Sequence, residues 1–159
     1  KVKEIKGDAF LQCTTLKSVS FGKNLEIIGR EAFYECTALA SIHFPDTITT
    51  IEESAFKKCT SLKEVVFGKA LQSVGDSAFK ECTSLKNVKL PEGLTTLDDW
   101  AFAYCDALEE IYVPSSLTSI EISSIAQTHV IDVYIVQGSF IDQHLENLMG
   151  IEFYNRKYQ

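Results

Sequence analysis

Five cysteines recur at a constant spacing of 23 residues, and each lies in the same short sequence. An Ala-Phe pair precedes every cysteine, and a leucine follows it three residues later. The cysteines are Cys13, Cys36, Cys59, Cys82 and Cys105. Self-similarity at a fixed period of roughly 20 to 50 residues is typical of a solenoid, in which each unit buries its apolar face against its neighbours. The chain is therefore predicted to fold as a stack of coils.

A short β-strand is predicted after each of these leucines. In the second unit the segment reads Leu39-x-x-Ile42-x-Phe44, and the other four units place apolar residues at the same positions. The last two apolar residues lie two apart, which is the period of a strand, so both are expected to point inward. Stacked units would then form a parallel sheet with a strand spacing of ~4.8 Å.

Each unit continues with a turn, a second apolar pair and the segment that ends in cysteine. The turn carries glycine or proline, which suits a strand end because a ladder hydrogen bond can be given up there. The second pair, such as Ile48 and Ile51, indicates a short extended stretch. The Ala-Phe-x-x-Cys segment is predicted to form a single helical turn with Phe and Cys on one face. The cysteines are expected to form a buried column of small apolar side chains.

The repeated pattern resembles the BspA-type leucine-rich repeats, a class with 23-residue units. The likeness rests on Leu-x-x-Ile-x-Leu/Phe-Pro, Leu-x-x-Ile-Gly and Ala-Phe-x-x-Cys, and it covers residues 1–136. The resemblance implies an α/β repeat solenoid, which is a right-handed leucine-rich-repeat superhelix with a parallel β-sheet and short helical turns. It also implies a surface or secreted protein of a host-associated bacterium or a protist, with a role in adhesion or protein recognition and no catalytic residues.

Five full units and a degenerate sixth are predicted within residues 1–136, followed by a C-terminal helix-strand cap over 137–159. In the sixth unit, Ser124-Ile125 replaces Ala-Phe, Thr128 replaces cysteine, and Ile131, Tyr134 and Val136 hold the apolar places. Ser139 and Asp142 then match a capping box at the start of a helix. A short strand at Ile151 and Phe153 is expected before a polar tail, Asn155 to Gln159. Such a segment would cover the last coil, and a partner-binding amphipathic helix is the alternative.

The amino end shows no comparable cap. Val2 and Ile5 match the second apolar pair of a unit whose first strand is missing, so we interpret the chain as a piece of a longer protein. Either further repeats precede it or an apolar edge is exposed. Edge-to-edge pairing of two copies through this end would follow from such an exposure.

The net charge of the chain restricts the classes of partner that it is expected to bind. The net charge is −7 and the isoelectric point is near 5.0. No cluster of Lys and Arg offsets this acidity, which argues against a nucleic acid or an anionic membrane surface as partner. No apolar run is long enough to cross a bilayer. The partner that the family resemblance implies is a protein, such as one on the surface of a host or neighbouring cell.

No pattern in the sequence predicts catalysis, a cofactor or a metal site. A cysteine nucleophile would have to leave the buried column and lower its pKa. Zinc sites need close pairs of cysteines, and calcium loops need acids at alternating positions, whereas Asp98 and Asp99 are adjacent. Phosphate-binding and dinucleotide-binding glycine motifs are missing from the sequence.

The candidate contact surface consists of the strand positions that the repeat leaves free. One outward residue lies between the two inward ones, and another lies two residues earlier, so together they cover the exposed face of the sheet. These positions are Ser18, Ser20, Ser41, His43, Glu64, Val66, Asn87, Lys89, Glu110 and Tyr112. Val66 and Tyr112 suit contact anchors, although isolated exposed apolar residues are also normal. Trp100 with Tyr104 is a second candidate, for which packing against the next coil is an equally good account.

The sequence thus predicts a non-enzymatic protein-binding or adhesion module that is part of a larger surface or secreted bacterial protein. Its mechanism would be shape and polar complementarity on a preformed, rigid face, which limits the entropy cost of association. The alternative is a structural spacer or self-assembly segment that projects another domain.

Overall fold

A computed structural model describes residues 2–120, 122–125, 127–128, 132–143 and 155–159. Within these ranges the chain is a parallel-sheet solenoid of about six turns, as the repeat predicts, and it contains little helix. The strands in chain order are β1 (Glu4–Ile5), β2 (Ile27–Ile28), β3 (Ser41–His43), β4 (Thr50–Ile51), β5 (Glu64–Val66), β6 (Ser73–Val74), β7 (Asn87–Lys89), β8 (Thr96–Leu97), β9 (Glu110–Tyr112), β10 (Ser119–Ile120), β11 (Asp132–Ile135) and β12 (Asn155–Tyr158). A 3-10 helix spans Ile122–Ile125.

Two sides of the solenoid carry sheets. On one side the six two-residue strands pair in the order β1-β2-β4-β6-β8-β10, and each contributes one residue of the second apolar pair to the core. The sequence predicted only an extended stretch here. On the other side, which we call the main sheet, the longer strands β3, β5, β7, β9, β11 and β12 follow one another. All the described pairings are parallel.

The main sheet is divided, which corrects the prediction of one continuous sheet. Strands β3 and β5 pair with each other, and β7, β9, β11 and β12 form a separate group. Phe21, Phe44 and Phe67 stack beneath the first part, with ring centroids 5.5 and 5.8 Å apart. The next coil places the smaller Leu90 at this position, so the packing under the strands changes where the ladder stops. Phe67 is left partly exposed at the break.

The core consists of files of like residues from successive coils. Phe33 stacks on Phe56 with ring centroids 5.0 Å apart, and Phe56 stacks on Phe79 at 5.3 Å. The Sγ of Cys59 donates a hydrogen bond to the carbonyl oxygen of Phe33 in the preceding coil at 3.3 Å. The same bond recurs at Cys36, Cys82 and Cys105, all of which are buried. Cys13 is exposed because no described coil lies before it, so the column contains four cysteines rather than five.

The predicted helical turn at Ala-Phe-x-x-Cys is not confirmed. The residue before the alanine and the residue before the cysteine both have positive φ, as in Glu31 (54°) and Glu35 (56°). A right-handed helix requires negative φ, so the segment makes tight turns instead. This conformation aims alternate N–H groups along the stack, and Glu31, Phe33 and Glu35 donate to carbonyl oxygens of the next coil at 2.7–3.0 Å.

The sixth unit joins the main sheet in a different register from the one predicted. Val133 pairs with Ile111 and Tyr134 pairs with Tyr112. Val133 and Ile135 are therefore the buried pair, and Tyr134 lies on the outer face. The prediction that Tyr134 and Val136 point inward is wrong, because a shift of one residue moves every side chain of a strand to the opposite face. Ile131 lies outside the described residues.

The C-terminal segment is described in part. A helix begins at residue 140, and it is described as far as 143. The Ser139 Oγ accepts a hydrogen bond from the N–H of Asp142 at 3.2 Å, as the predicted capping box requires. Strand β12 lies where a polar tail was predicted, and it pairs with β11. The predicted strand at 151–153 lies outside the described residues. The cap, the domain boundary at 136 and the right-handed sense of the superhelix stay predictions.

Candidate binding surface

Two rows of side chains stand on the outer face of the main sheet. The strand register aligns them across successive coils. Buried residues alternate with them along β3, β5, β7, β9 and β11. The first, here called the polar row, consists of Ser41, Glu64, Asn87, Glu110, Asp132 and Asn155. The second, here called the aromatic row, consists of His43, Val66, Lys89, Tyr112, Tyr134 and Lys157. The break between β5 and β7 crosses both rows.

The rows contain eight of the ten sheet positions that the sequence singled out. Ser18 and Ser20 are exposed as well, but the structure assigns no strand to them. Sequence reasoning missed Tyr134 because it placed the sixth unit in the wrong register. The pair Val133-x-Ile135 fits the period of a strand as well as Tyr134-x-Val136 does. With Val133 and Ile135 inward, Tyr134 points outward. Lys157 was missed because its segment reads as a polar tail.

The centre of the aromatic row is a pair of stacked tyrosines. The rings of Tyr112 and Tyr134 are parallel, with centroids 4.2 Å apart. The Nζ of Lys89 lies 5.9 Å from the ring centroid of Tyr112. Desolvation raises the pKa of the Tyr134 phenol, and the adjacent Tyr112 and Glu110 act in the same direction. Partly exposed, preordered aromatic rings of this kind are the side chains on which protein contacts most often depend.

Ionisable side chains link the two rows on both sides of the break. The Nζ of Lys157 lies 3.8 Å from the Oδ1 of Asp132, and the Nε2 of His43 lies 3.7 Å from the Oε2 of Glu64. The His43 and Glu64 side chains are both largely exposed. Such pairs contribute little to stability. Neither pair is therefore needed to hold the strands in place.

A cavity of about 540 Å³ opens at the break in the main sheet. The ends of β5 and β7 form its walls, and its lining is mostly apolar. The residues that line it are Val65, Val66, Phe67, Lys69, Lys89, Leu90, Pro91, Glu92, Tyr112, Pro114 and Gln159. Because Val66, Lys89 and Tyr112 also belong to the aromatic row, the cavity and the row form one continuous surface.

The second candidate, Trp100 with Tyr104, lies on the turn segment rather than on the main sheet. The two rings are stacked with centroids 6.1 Å apart. The Nζ of Lys80 in the preceding coil lies 4.6 Å from the Trp100 ring centroid and 5.2 Å from that of Tyr104. The ring faces thus already have a cationic partner from the chain itself. This geometry favours packing against the neighbouring coil.

The buried thiols are poorly suited to nucleophilic chemistry. Burial raises the pKa of Cys36 to about 11 and that of Cys105 to about 12. The same cause raises the pKa values of Cys59 and Cys82. Each thiol therefore keeps its proton near neutral pH, and the thiolate is the reactive form. Among the residues that the structure describes, no cluster of three or more His, Cys, Asp or Glu could hold a metal ion.

Comparison with known proteins identifies the repeat. The model of the BspA type leucine-rich repeat region matches residues 1–144 in six copies. The chain belongs to this BspA-type family. In the second to fifth BspA-type units the alanine, phenylalanine and cysteine of the pattern are core residues, and the two rows occupy positions that the repeat leaves free.

Several solved structures share this BspA-type fold. The T. pallidum leucine-rich repeat protein is 26% identical, with a TM-score of 0.71 over 96% of this chain and 78% of that one. A leucine-rich cell surface protein from Faecalibacterium prausnitzii is 33% identical, with a TM-score of 0.75 over 80% of this chain and 34% of that one. A leucine-rich repeat protein from Bacteroides ovatus is 28% identical, with a TM-score of 0.60 over 85% and 41% of the two chains.

The BspA-type chain thus spans less than half of the Faecalibacterium and Bacteroides structures that it matches. A search of curated proteins gave no match. Within the described residues, no helix is both long enough and apolar enough to cross a membrane.

Proposed function

We propose that the chain is a non-enzymatic protein-binding module of a larger cell-surface or secreted bacterial protein. Its outer sheet face would mediate adhesion by binding a protein on a host or neighbouring cell. The Tyr112–Tyr134 pair carries this proposal, because it places two partly exposed, stacked aromatic rings at the centre of a charged face. The continuous core beneath holds both rows in place, so binding requires little ordering. The cell-surface description of the Faecalibacterium structure supports the location.

The adhesion proposal is tested with beads that carry the chain and with cultured epithelial cells. We expect the beads to bind, and we expect trypsin treatment of the cells to abolish binding, because the receptor is a protein. Replacing both tyrosines, Tyr112→Ala with Tyr134→Ala, should reduce binding at least about tenfold, since interface hot spots contribute on the order of 2 kcal/mol each.

The matched control replaces two exposed residues that directly precede strands of the opposite sheet, Gln72→Ala with Thr118→Ala, and should bind like the wild type. Equal binding by the two double variants would contradict the assignment of this face. Failure of the wild-type beads to bind any cell type would favour the spacer role.

A second proposal concerns self-assembly through the first coil. Apolar side chains are exposed there, with Val2 at 70%, Phe10 at 37% and Leu11 at 39% of their full accessibility. We propose that two copies of this 159-residue chain associate through these side chains. Sedimentation velocity should show a concentration-dependent dimer that Phe10→Glu removes and Tyr104→Ala leaves intact. A wild-type chain that stays monomeric at high concentration would contradict the proposal.

A further inference from the structure

One half of the cavity at the break is apolar. Its wall includes the ring of Phe67, which is the last in the stack of Phe21, Phe44 and Phe67. Phe44 stacks on Phe67 at 5.8 Å, and the following coil supplies Leu90 rather than a further ring to this stack. The Phe79 ring meets Phe67 edge-on at 5.7 Å and does not continue the stack. Val66 is 43% exposed beside it. An apolar side chain that entered here would cover Phe67 and continue the stack, which removes apolar surface from water.

The rim of the same cavity is cationic, although the chain as a whole is acidic. Lys69 and Lys89 both line it. The Nζ of Lys69 is 4.0 Å from Asp46, and the Lys69 side chain is 88% exposed, so this pair is weak. The single rim carboxylate, Glu92, already accepts hydrogen bonds from the N–H and Oγ of Ser115 at 3.3 and 3.0 Å. Two ammonium groups and one carboxylate thus line the cavity, so the net charge of its lining residues is positive.

The backbone at the break also differs from its neighbours. In the adjacent coils an N–H just after the strand donates to the next strand, as Phe44 does to Val66 at 2.9 Å and Leu90 does to Tyr112 at 3.1 Å. Within the described part of the chain, the corresponding bond from Phe67 to Lys89 is missing. A polar main-chain ligand could pair with these groups. A lipid chain would leave them unsatisfied.

From these three observations we propose that the cavity binds the apolar side chain, preferably aromatic, of a protein segment whose flanking residues are acidic. The inference rests on the proposed protein-binding function and names the chemistry of the partner. The side chain covers Phe67 and packs on Leu90, the flanking carboxylates face Lys69 and Lys89, and the partner backbone lies across the outer rows. The break between β5 and β7 is thus the specificity site of the surface.

The test uses short capped peptides and the NMR signals of the methyl groups that line the cavity. The probes are acetyl-Glu-Phe-Asp-amide, its uncharged analogue acetyl-Gln-Phe-Asn-amide, its truncated analogue acetyl-Glu-Ala-Asp-amide, and a heparin disaccharide. The first peptide should shift the methyl signals of Val65, Val66 and Leu90 at millimolar concentration. The alanine peptide should bind at least about tenfold more weakly because it loses the buried ring. The uncharged peptide should bind about fivefold more weakly, and added salt should reduce the difference.

Two charge reversals provide a matched pair of variants. Lys89→Glu should weaken binding of the acidic peptide about fivefold or more, whereas Lys63→Glu, which makes the same charge change at an exposed lysine outside the cavity, should not. Leu90→Phe should fill the cavity and abolish binding. Should Leu90→Phe fail to fold, the pair at Lys89 and Lys63 still decides the question.

The possible outcomes separate this inference from the proposed function. Absence of methyl shifts with every peptide, equal binding of the charged and uncharged peptides, or a response to the heparin disaccharide alone would overturn it. If that happens while cell binding still depends on Tyr112 and Tyr134, the proposed function stands and the cavity is not its specificity site. If the peptides bind as expected and no cell is bound, the adhesion proposal fails instead.

Discussion

At the scale of single residues, the buried cysteines link successive coils by hydrogen bonds inside the core. Each buried thiol is small enough for the column and donates a hydrogen bond to a carbonyl oxygen 26 residues earlier, as Cys82 does to Phe56. The same carbonyl oxygen also accepts the backbone N–H of Cys59 in its own coil at 3.2 Å, so the thiol of the next coil is its second donor. The combination of small size, apolar character and a weak donor explains why the same residue type recurs.

Cys59→Ala should therefore lower the free energy of unfolding by about 1.5 kcal/mol, because it leaves a small cavity and removes one donor to Phe33. The control is Cys13→Ala, which changes the same repeat position where it is exposed and should cost less than about 0.5 kcal/mol. Urea unfolding of the two variants measures both values. Equal losses would show that burial in the column is not the cause.

The buried thiols also predict a loss of stability at alkaline pH. Burial raises the pKa of Cys105 from 9.0 to about 12. Above pH ~9 the unfolded chain releases this proton and the folded chain keeps it, so rising pH favours unfolding up to the folded pKa. The unfolding free energy of the wild type should fall relative to that of Cys105→Ala by about 1.4 kcal/mol per pH unit in this range. Urea unfolding across that range checks it, and a constant difference would contradict the raised pKa.

At the scale of the elements, the strands β3, β5, β7 and β9 follow from the sequence, whereas the turn segment before each cysteine does not. The period of two in Leu62-x-x-Val65-x-Phe67 is a direct consequence of strand geometry, so β5 could be placed without a structure. The turn segment requires positive φ at glutamate, serine, lysine and tryptophan, which rarely adopt it. Hydrogen bonds to the next coil hold that conformation, and such bonds between coils cannot be inferred from local preferences.

The positive φ of Glu81, 62°, provides a test of this account. Glu81→Gly should leave stability unchanged or raise it slightly, because glycine adopts this φ without steric cost. Glu81→Val should lower the free energy of unfolding by about 1–2 kcal/mol, since β-branched residues are the least suited to positive φ. Thermal unfolding distinguishes the two. A valine variant as stable as the glycine variant would indicate that the backbone is not held in this conformation.

The candidate site could be predicted as rows but not in its details. The repeat spacing placed Glu64, Val66, Lys89 and Tyr112 on one face, and the structure places them there. Strand register at the end of the stack depends on one residue of spacing, so Tyr134 was assigned to the core. The break after β5 depends on how Phe67 and Leu90 pack between coils. Neither feature is encoded in the periodicity of a single unit.

At the scale of the whole molecule, the core is continuous while the outer sheet is not. The phenylalanine file from Phe10 to Phe102 runs through five coils without interruption, so both parts of the main sheet rest on one support. The continuous core supports an extended outer surface, and the break in the main sheet adds a cavity to that surface. A spacer would need only the continuous core. The gap and the tyrosine pair together favour a binding role.

The most direct measurement of this central claim is site-specific photo-crosslinking on cells. The photoreactive residue benzoylphenylalanine is placed singly at Val66, Tyr112 or Tyr134 on the outer face, and at Gln72, Thr118 or Tyr104 elsewhere. The account expects crosslinked protein adducts from the three outer-face positions and none from the other three. Adducts of equal yield from Gln72 and Thr118, or adducts from Tyr104 alone, would contradict it.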